Sequence, residues 1–209
     1  MTTPPESDAT NLPDLLAALT AGEGQALDRL HARLVAAAAA EGVLDIGYRT
    51  VDTPVGTLLL AATEQGLLRV AYPSQDHDAV LAALGRAVSP RILHAPARLD
   101  EVSRQLEQYF AGRRTGFELP LDLRLSTGFR RTVLAHLSHI DYGRTESYAQ
   151  VAAAAGSPKA VRAVGTACAT NPLPVVLPCH RVVRSDGSWG QYVGGAEAKQ
   201  ALLRLERVA

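Results

Sequence analysis

Cysteine is scarce in this sequence, since Cys168 and Cys179 are the only two among 209 residues. Two thiols cannot form the disulfide framework of a small secreted protein or an all-cysteine metal site. A single bridge between them is an alternative, but a reducing compartment favours free thiols, and a free thiol is a candidate nucleophile. The six histidines are scattered without ligand spacing, so we expect no metal site and no cofactor, with a zinc ion bound through histidines as the alternative.

Long apolar runs and a secretory signal are also absent. No run approaches the roughly 20 apolar residues of a membrane-spanning helix. The first residues, Met-Thr-Thr-Pro-Pro-Glu-Ser-Asp, carry neither the positive charge nor the apolar stretch of a signal peptide. With 47% hydrophobic residues the chain can still build a core. We therefore expect a globular, cytoplasmic protein without a membrane partner.

The sequence has no net charge, but its charges are unevenly distributed. Residues 1–120 contain 10 basic and 15 acidic residues, whereas residues 121–209 contain 11 and 6. The two parts therefore carry formal charges of −5 and +5. A basic C-terminal part is compatible with a surface that faces phosphates, and a mixed solvated surface explains the same counts. Charge alone leaves both interpretations open.

Residues 1–45 are predicted to form a helical extension. Leucines recur at helical spacing between Leu12 and Ala40, and Gly22 and Gly24 interrupt the pattern. This predicts two short amphipathic helices, to which we assign no chemistry.

Residues 46–120 are predicted to form a small α+β domain. Three β-rich segments separated by turns indicate an antiparallel meander: Ile46–Val51, Thr57–Ala62 and Leu67–Ala71. Two helical segments follow, near Asp76–Gly85 and at Ala97–Ala111.

Residues 121–209 are predicted to form a mostly helical domain. Three helices are expected: Phe129–Ile140, Glu146–Ala155, and a third that runs to about Ala169. The third helix is expected to start with Ser157 as N-cap and Pro158 at the first helical position. Two helices joined by a Gly-Ser-Pro turn are typical of a helix-turn-helix.

The third predicted helix has unusually small side chains on one side. Arg162 is its only large polar side chain past the first turn, and Ala163 and Gly165 lie on one side of it. A glycine inside a helix costs about 1 kcal/mol relative to alanine, which suggests that another surface comes close. That surface is either a tightly packed protein helix or a DNA groove, with the arginine pushed into the base stack.

Cys179 and His180 form the candidate reactive pair. A thiol attacks only as thiolate, and its free pKa of about 8.5 leaves little thiolate at neutral pH, so a neighbouring base is needed. Three prolines, Pro172, Pro174 and Pro178, predict a stiff extended strand. Adjacent side chains on a strand point to opposite faces. A bent backbone or a bridging water would have to connect the two groups, and an isolated Cys-His pair also occurs in inert cores.

The wider pattern around this pair resembles the O6-alkylguanine-DNA alkyltransferase family. Its most specific part is Asn171-Pro-Leu-Pro-Val-Val-Leu-Pro-Cys-His-Arg-Val-Val183. The likeness spans about residues 46–207 and includes Ser147-Tyr148, Pro158-Lys159-Ala160, Arg162-Ala163-Val164-Gly165, Tyr192, Gly194-Gly195, Lys199 and Glu206.

The resemblance implies both the architecture and the activity. We expect an α+β protein with a small N-terminal domain that holds an antiparallel sheet and is ribonuclease H-like. A mostly helical C-terminal domain with a helix-turn-helix would follow. The protein would act as a monomer on double-stranded DNA carrying O6-alkylguanine, and also on O4-alkylthymine. It would flip the base out of the duplex and take the alkyl group irreversibly, once per molecule, as a methylated-DNA–protein-cysteine S-methyltransferase.

Four residues would carry the chemistry in such a protein. Cys179 is the implied acceptor, His180 the base that deprotonates it through a water, and Glu206 the group that orients the imidazole. Asn171 would connect the recognition helix to the strand that carries the thiol.

A second set of residues would hold the DNA. Tyr148 is implied to contact the flipped guanine near N3, where charge develops as the alkyl group departs. Arg162 would occupy the space that the base leaves in the stack, with Ala163 and Gly165 against the groove.

The base pocket would be made largely by backbone groups. The carbonyls of Cys179 and Val182 are implied to accept from the exocyclic amine of guanine, and the N–H of Val193 to donate to O6. Tyr192 would wall the pocket, and Gly194 would permit the tight turn there.

Some features leave alternatives open. Val193 stands where family members often have serine or glycine, Trp189 is a large residue near the pocket, and Cys168 has no assigned role. A non-repairing, alkyltransferase-like protein that only binds damaged DNA is one alternative, although such relatives replace the acceptor cysteine. A Cys-His hydrolase is another; it would need an oxyanion hole and would turn over repeatedly.

Overall fold

A computed structural model describes the backbone of residues 12–207 and the side chains of residues 24–207. The chain divides into two compact units, Met1–Val43 and Leu44–Ala209. No helix in the described part is long and apolar enough to cross a membrane. The predicted boundaries at residues 45 and 120 stay predictions, and residues 1–11 lie outside the described range.

The first unit contains one helix, α1, Leu12–Ala40. The prediction of two short helices was wrong, because Gly22 and Gly24 both lie inside this helix. Each glycine costs about 1 kcal/mol relative to alanine, but alanine and leucine favour the helix throughout the rest of the segment. A glycine lowers helix stability without ending the helix unless the backbone must take a left-handed turn.

A four-stranded sheet forms the first part of the second unit. Its strands are β1 Ile46–Val51, β2 Leu58–Thr63, β3 Gly66–Ala71 and β4 Ile92–His94, in the order β3-β2-β1-β4. The antiparallel pairing of the first three strands confirms the predicted meander. The sequence pattern gave no sign of β4, which pairs parallel to β1, because a strand of three residues is too short to show a period.

The sheet buries both faces. Leu59, Ala61 and Leu68 pack against α2, His77–Ala87, on one face. Leu58, Leu60 and Val70 belong to the larger core on the opposite face, which also holds side chains from α3, Asp100–Phe110, and from the helices beyond residue 128. Because strand residues alternate between faces, one sheet can serve two cores.

The remaining part of the unit is mostly helical, as predicted. Its helices are α4 Gly128–Leu137, α5 Tyr148–Ala154, α6 Val161–Ala169 and α7 Gly195–Leu205. Residues 171–183, which carry the most specific part of the pattern, are called the motif segment. Two parallel strands of two residues each, β5 Glu146–Ser147 and β6 Val182–Val183, connect the start of α5 to the end of this segment. The start of α5 is fixed by a capping box in which Ser147 and Gln150 bond each other's backbone.

Helix α6 starts later than predicted. Ser157 and Pro158 were expected to open it, but they belong to a turn in which the Ala160 N–H donates to the Ser157 carbonyl at 2.8 Å. Proline favours the second position of a type I turn as much as the first turn of a helix, so the sequence pattern fits both. The helix itself begins at Val161, immediately before Arg162.

Candidate active site

The motif segment folds as a buried, bent turn. The predicted extended strand was wrong: Cys179–Arg181 form one turn of 3-10 helix, with the Arg181 N–H on the Pro178 carbonyl at 2.9 Å. Val175 lies in the left-handed region at φ 73°, which is rare for a β-branched residue and reverses the chain before the thiol. Cys179 and His180 therefore do not alternate across a strand.

Asn171 fixes this turn from inside. Its side-chain amide donates to the Leu177 carbonyl at 2.8 Å and to Cys179 Sγ at 3.1 Å, and its Oδ1 accepts from the Leu173 N–H at 2.9 Å. Asn171 is 1% exposed and follows directly after the last turn of α6. Asn171 thus connects the segment just after α6 to the turn that carries the thiol.

The Cys179 thiol is protonated in the resting protein. Burial raises its pKa to about 11, although the hydrogen bond from Asn171 and the charge of Lys199 act in the opposite direction. The side chain is 2% exposed, so water cannot solvate a thiolate. A base must take the proton as the sulfur attacks.

His180 is suited to be that base. Its Nε2 lies 2.9 Å from Glu206 Oε1, and both side chains are fully buried. Burial lowers the pKa of the imidazole, while Glu206 raises it, and the net shift is downward, so the ring is neutral at physiological pH. An Nε2–H that donates to the carboxylate leaves Nδ1 with a lone pair. That nitrogen is buried and bonds no group of the described protein.

Glu206 accepts hydrogen bonds from three further residues. Arg181 donates from Nη2 to Oε1 and from Nε to Oε2, each at 2.9 Å, and the Tyr109 hydroxyl donates to Oε1 at 2.6 Å. The Gly143 N–H lies 3.4 Å from Oε2. Burial would raise the pKa of this carboxyl, but the bonds from His180 and Arg181 outweigh burial and lower it to about 2. Glu206 is therefore an anion throughout the physiological range.

Two tyrosines close the side of the site next to the imidazole. The Tyr192 ring meets His180 edge-on at 6.2 Å, and its hydroxyl lies 3.1 Å from that of Tyr72. A side chain at position 194 would place its Cβ 2.5 Å from the Tyr72 ring, so only glycine fits. Gly194 is thus required by close packing, and Val193 beside it is partly buried.

Lys199 lies buried beneath the same loop. Its Nζ donates to the Val182 carbonyl at 2.6 Å and also to the carbonyl of Trp189. Burial lowers the pKa of this ammonium to about 8. The Val182 carbonyl, which the resemblance assigns to the guanine amine, therefore has one lone pair in use and one left.

Helix α6 presents an open face. Arg162 and Ala163 are exposed, and a Cβ added at Gly165 would meet no atom within 4 Å. Of the two surfaces expected to approach Gly165, no protein helix does so in the described part of the chain. The face is free for a partner.

Tyr148 lies at the start of α5, half-buried, with burial raising the pKa of its hydroxyl. A side chain at Gly190 would place its Cβ 2.9 Å from the Tyr148 hydroxyl, which brings the 184–190 loop against this tyrosine. A groove next to it is lined by Ala169 at the end of α6, by Tyr192 and Val193, and by Gln75 from the sheet region.

Cys168 lacks the surroundings of Cys179. It is 4% exposed, and burial raises the pKa of its thiol with no hydrogen bond to oppose the shift. Within residues 12–207 no three His, Cys, Asp or Glu side chains are grouped so as to hold a metal ion.

Several residues of the site were given no role by the sequence patterns. Arg181 and Lys199 fall inside the matched pattern, but spacing gave them no role. Tyr72 and Tyr109 come from the sheet region, far along the chain from the thiol. A tyrosine in the apolar stripe of a helix looks like an ordinary core residue, so no local signal marks it.

The comparisons with known proteins cover the same two regions. Residues 46–123 match the family model of the 6-O-methylguanine DNA methyltransferase, ribonuclease-like domain. Residues 128–208 match the model of the 6-O-methylguanine DNA methyltransferase, DNA binding domain. The α+β class with a ribonuclease-like first part and a helical second part is thereby confirmed.

Similar full-length proteins lead to the same family. The Mycolicibacterium paratuberculosis methylated-DNA–protein-cysteine methyltransferase is 41% identical over 162 residues, 78% of this chain and 93% of that protein. The constitutive Bacillus subtilis enzyme of that name is 39% identical over 163 residues, 78% of this chain and 96% of its own. The crystal structure of the Mycobacterium tuberculosis O6-methylguanine methyltransferase superposes with a TM-score of 0.69 at 37% identity, over 78% of this chain and 94% of that one. The chain therefore belongs to the 6-O-methylguanine DNA methyltransferase family.

Proposed function

We propose that this protein repairs alkylated DNA by direct reversal, moving the alkyl group from O6 of a guanine to Cys179. The proposal rests on one observation. The buried Cys179 thiol accepts a hydrogen bond from the Asn171 amide, and the neighbouring His180 imidazole is neutral and hydrogen-bonded to the ionised Glu206 carboxylate. Relatives that are 41% and 39% identical are named methylated-DNA–protein-cysteine methyltransferases, and Mycobacterium tuberculosis OGT has been crystallised in complex with DNA.

The transfer is an in-line displacement at the alkyl carbon. The sulfur–carbon bond forms as the carbon–O6 bond breaks, the thiol proton passes through a water to His180 Nδ1, and the guanine regains one proton overall. No oxidant or further reactant is needed. The free lone pair on buried Nδ1 supports this path. The product thioether is not hydrolysed, so each molecule acts once, and "enzyme" has a stoichiometric sense.

The assignment of the DNA contacts follows from exposure. Arg162 and Ala163 on α6 are exposed, and the surface at Gly165 is open, which suits a helix lying in a groove. We propose that Arg162 fills the gap in the duplex while the base enters the pocket beside Tyr148 and Tyr192. The carbonyl of Val182 and the N–H of Val193 would then hold the guanine edge. O4-alkylthymine is a second proposed substrate.

The groups proposed for the chemistry all come from one chain, which supports a monomer acting on double-stranded DNA. The presence of Cys179 disfavours the non-repairing, damage-binding alternative. A Cys-His hydrolase would also use a thiol beside an imidazole, but its product would leave, and the protein would turn over.

Intact mass spectrometry after incubation with a duplex containing O6-methylguanine tests the proposal. We expect one added methyl group per molecule, on the peptide with Cys179, and none in Cys179→Ala. Cys168→Ala is the matched control and should accept the methyl group as the wild type does. An unchanged mass for the wild-type protein, or repeated turnover, would refute direct reversal.

A further inference from the structure

Tyr109 connects the sheet region to the catalytic carboxylate. It lies on α3, in the stretch that matches the ribonuclease-like domain, whereas Glu206 lies at the end of α7 in the DNA-binding stretch. The two residues are 97 positions apart in the chain, and their side-chain oxygens are 2.6 Å apart. Among the hydrogen bonds to the Glu206 carboxylate, this is the one that comes from residues 46–123.

The surroundings of Tyr109 fix its hydroxyl. The side chain is 0% exposed, and its ring packs against Phe117 at 5.2 Å and Tyr142 at 6.2 Å. Burial raises the pKa of the phenol far above its ordinary value, and the nearby Glu206 charge adds to the shift. The hydroxyl is therefore a permanent donor, and among the described residues it bonds the carboxylate oxygen that also holds His180.

We propose that Tyr109 is a positioning residue for alkyl transfer: it holds Glu206 Oε1 in place and limits how strongly that oxygen pulls on the His180 proton. This inference rests on the proposed function of Cys179. Oε1 also accepts from Arg181 Nη2, so the negative charge is shared among three donors. When one donor is removed, the negative charge of Oε1 is shared between the remaining two. Oε1 then attracts the His180 proton more strongly, and the imidazolium form of His180 becomes more favourable.

His180, Glu206 and Tyr109 form a hydrogen-bonded relay. The charged and titratable groups around this relay come from every element that packs on it. They are Cys179 and Arg181 beside His180, Lys199 from α7, Tyr142 from the turn before β5, and Tyr72 and Tyr192, which close the side next to the imidazole. Arg181 already donates to Oε1 beside Tyr109, and the hydroxyls of Tyr142 and Tyr192 and the ammonium of Lys199 bond other atoms, so none of them takes the place of the Tyr109 hydroxyl. The expected effect of losing it is therefore not masked by a neighbouring donor.

Tyr109→Phe removes the hydroxyl and keeps the ring in place. We expect the acidic limb of the single-turnover rate profile to move to higher pH. Transfer below neutral pH should become about threefold to tenfold slower, since one pKa unit changes the neutral imidazole fraction by up to tenfold. Affinity for the alkylated duplex should stay the same, because Tyr109 is buried.

Tyr142→Phe is the matched control. It is the same change in the same aromatic cluster, but its hydroxyl donates to the Leu205 carbonyl at 3.0 Å and leaves the carboxylate untouched. Rates are measured on the fraction of molecules that finally accept a methyl group, so a partly unfolded sample does not distort the profile. An acidic limb in Tyr109→Phe that coincides with the wild type would overturn the inference. A wild-type protein that accepts no methyl group would instead refute the proposed function.

Discussion

The motif segment and helix α6 are neighbours in the chain but differ in how they use their side chains. From Asn171 to Val183 every residue is buried. In α6, Arg162 and Ala163 are exposed, and the surface at Gly165 is unoccupied. The first region has its polar contacts within the protein, and the second keeps its surface for a partner.

This difference explains why the two regions should respond differently to substitution. When a polar atom is removed from the motif segment, or from the groups hydrogen-bonded to Glu206, a buried charge or hydrogen-bonding group is left without a partner. This lowers both stability and transfer rate. On the exposed face of α6 a removed side chain is replaced by water, so we expect the fold to stay the same and only the interaction with DNA to change.

Glu206→Gln should give the largest effect. It leaves the Arg181 guanidinium buried without an opposite charge, and it replaces the carboxylate that orients His180 by a neutral amide with one acceptor oxygen. We expect a loss of about 3–5 kcal/mol in the free energy of unfolding and a transfer rate lower by about a hundredfold or more. Chemical denaturation and single-turnover kinetics measure the two losses.

The pH dependence of stability provides the control for this variant. The pKa of Glu206 falls from an ordinary 4.5 to about 2 on folding, so the folded state binds fewer protons between these values. Its contribution to stability is complete above about pH 4.5 and is lost as the pH falls toward 2. Wild-type stability should decline over this window more steeply than that of Glu206→Gln. Parallel declines would show that the carboxylate is not held by its donors as described.

Arg162→Ala should leave the fold unchanged and impair repair of duplex DNA. We expect a rate about tenfold lower with duplex substrate, since the arginine offsets part of the few kcal/mol needed to unstack a base. The free O6-alkylguanine base needs no extrusion, so its reaction rate should be the same for variant and wild type. Equal losses with both substrates would place Arg162 in the pocket and contradict its role in the stack.

Gly165→Ala should give the smallest effect and the most specific one. Because nothing lies within 4 Å of the added carbon, the helix should gain up to about 1 kcal/mol in stability. We expect weaker binding to duplex DNA in the same protein, since the methyl group occupies the open face. Thermal unfolding and a DNA titration report the two changes.

Ala163→Gly is the matched reverse change on the same helix. It should cost about 1 kcal/mol in stability without weakening the DNA complex by steric contact. If Gly165→Ala binds duplex DNA as tightly as the wild type, then α6 does not approach the groove at this position.

Much of the fold was predictable from local patterns. The strand β1 and the antiparallel meander follow from β-branched and apolar runs between turns, and the helices α4, α5 and α6 from helical spacing. Two of the errors lie where one pattern has two solutions. Ser157 and Pro158 suit a turn as well as a helix start, and three prolines around Cys179 suit a bent turn as well as a strand.

The candidate site divides in a similar way. The motif identified Cys179, His180 and Asn171 because they are close together in the chain and match a specific pattern. Glu206 was named through the resemblance alone. Tyr109 was expected only on the apolar side of a helix, and Tyr72 was not named, because their positions in the chain carry no information about the side chains that they meet.

The sequence by itself determined the reactive thiol, the histidine next to it, the small side chains on one side of α6 and the family, since each depends on residue types at short spacing. Only the tertiary structure decided the protonation of the site. Burial raises the pKa of Cys179 and lowers that of His180, and donors from distant parts of the chain keep Glu206 ionised. Desolvation and long-range hydrogen bonds arise when the chain folds, and no local spacing encodes them.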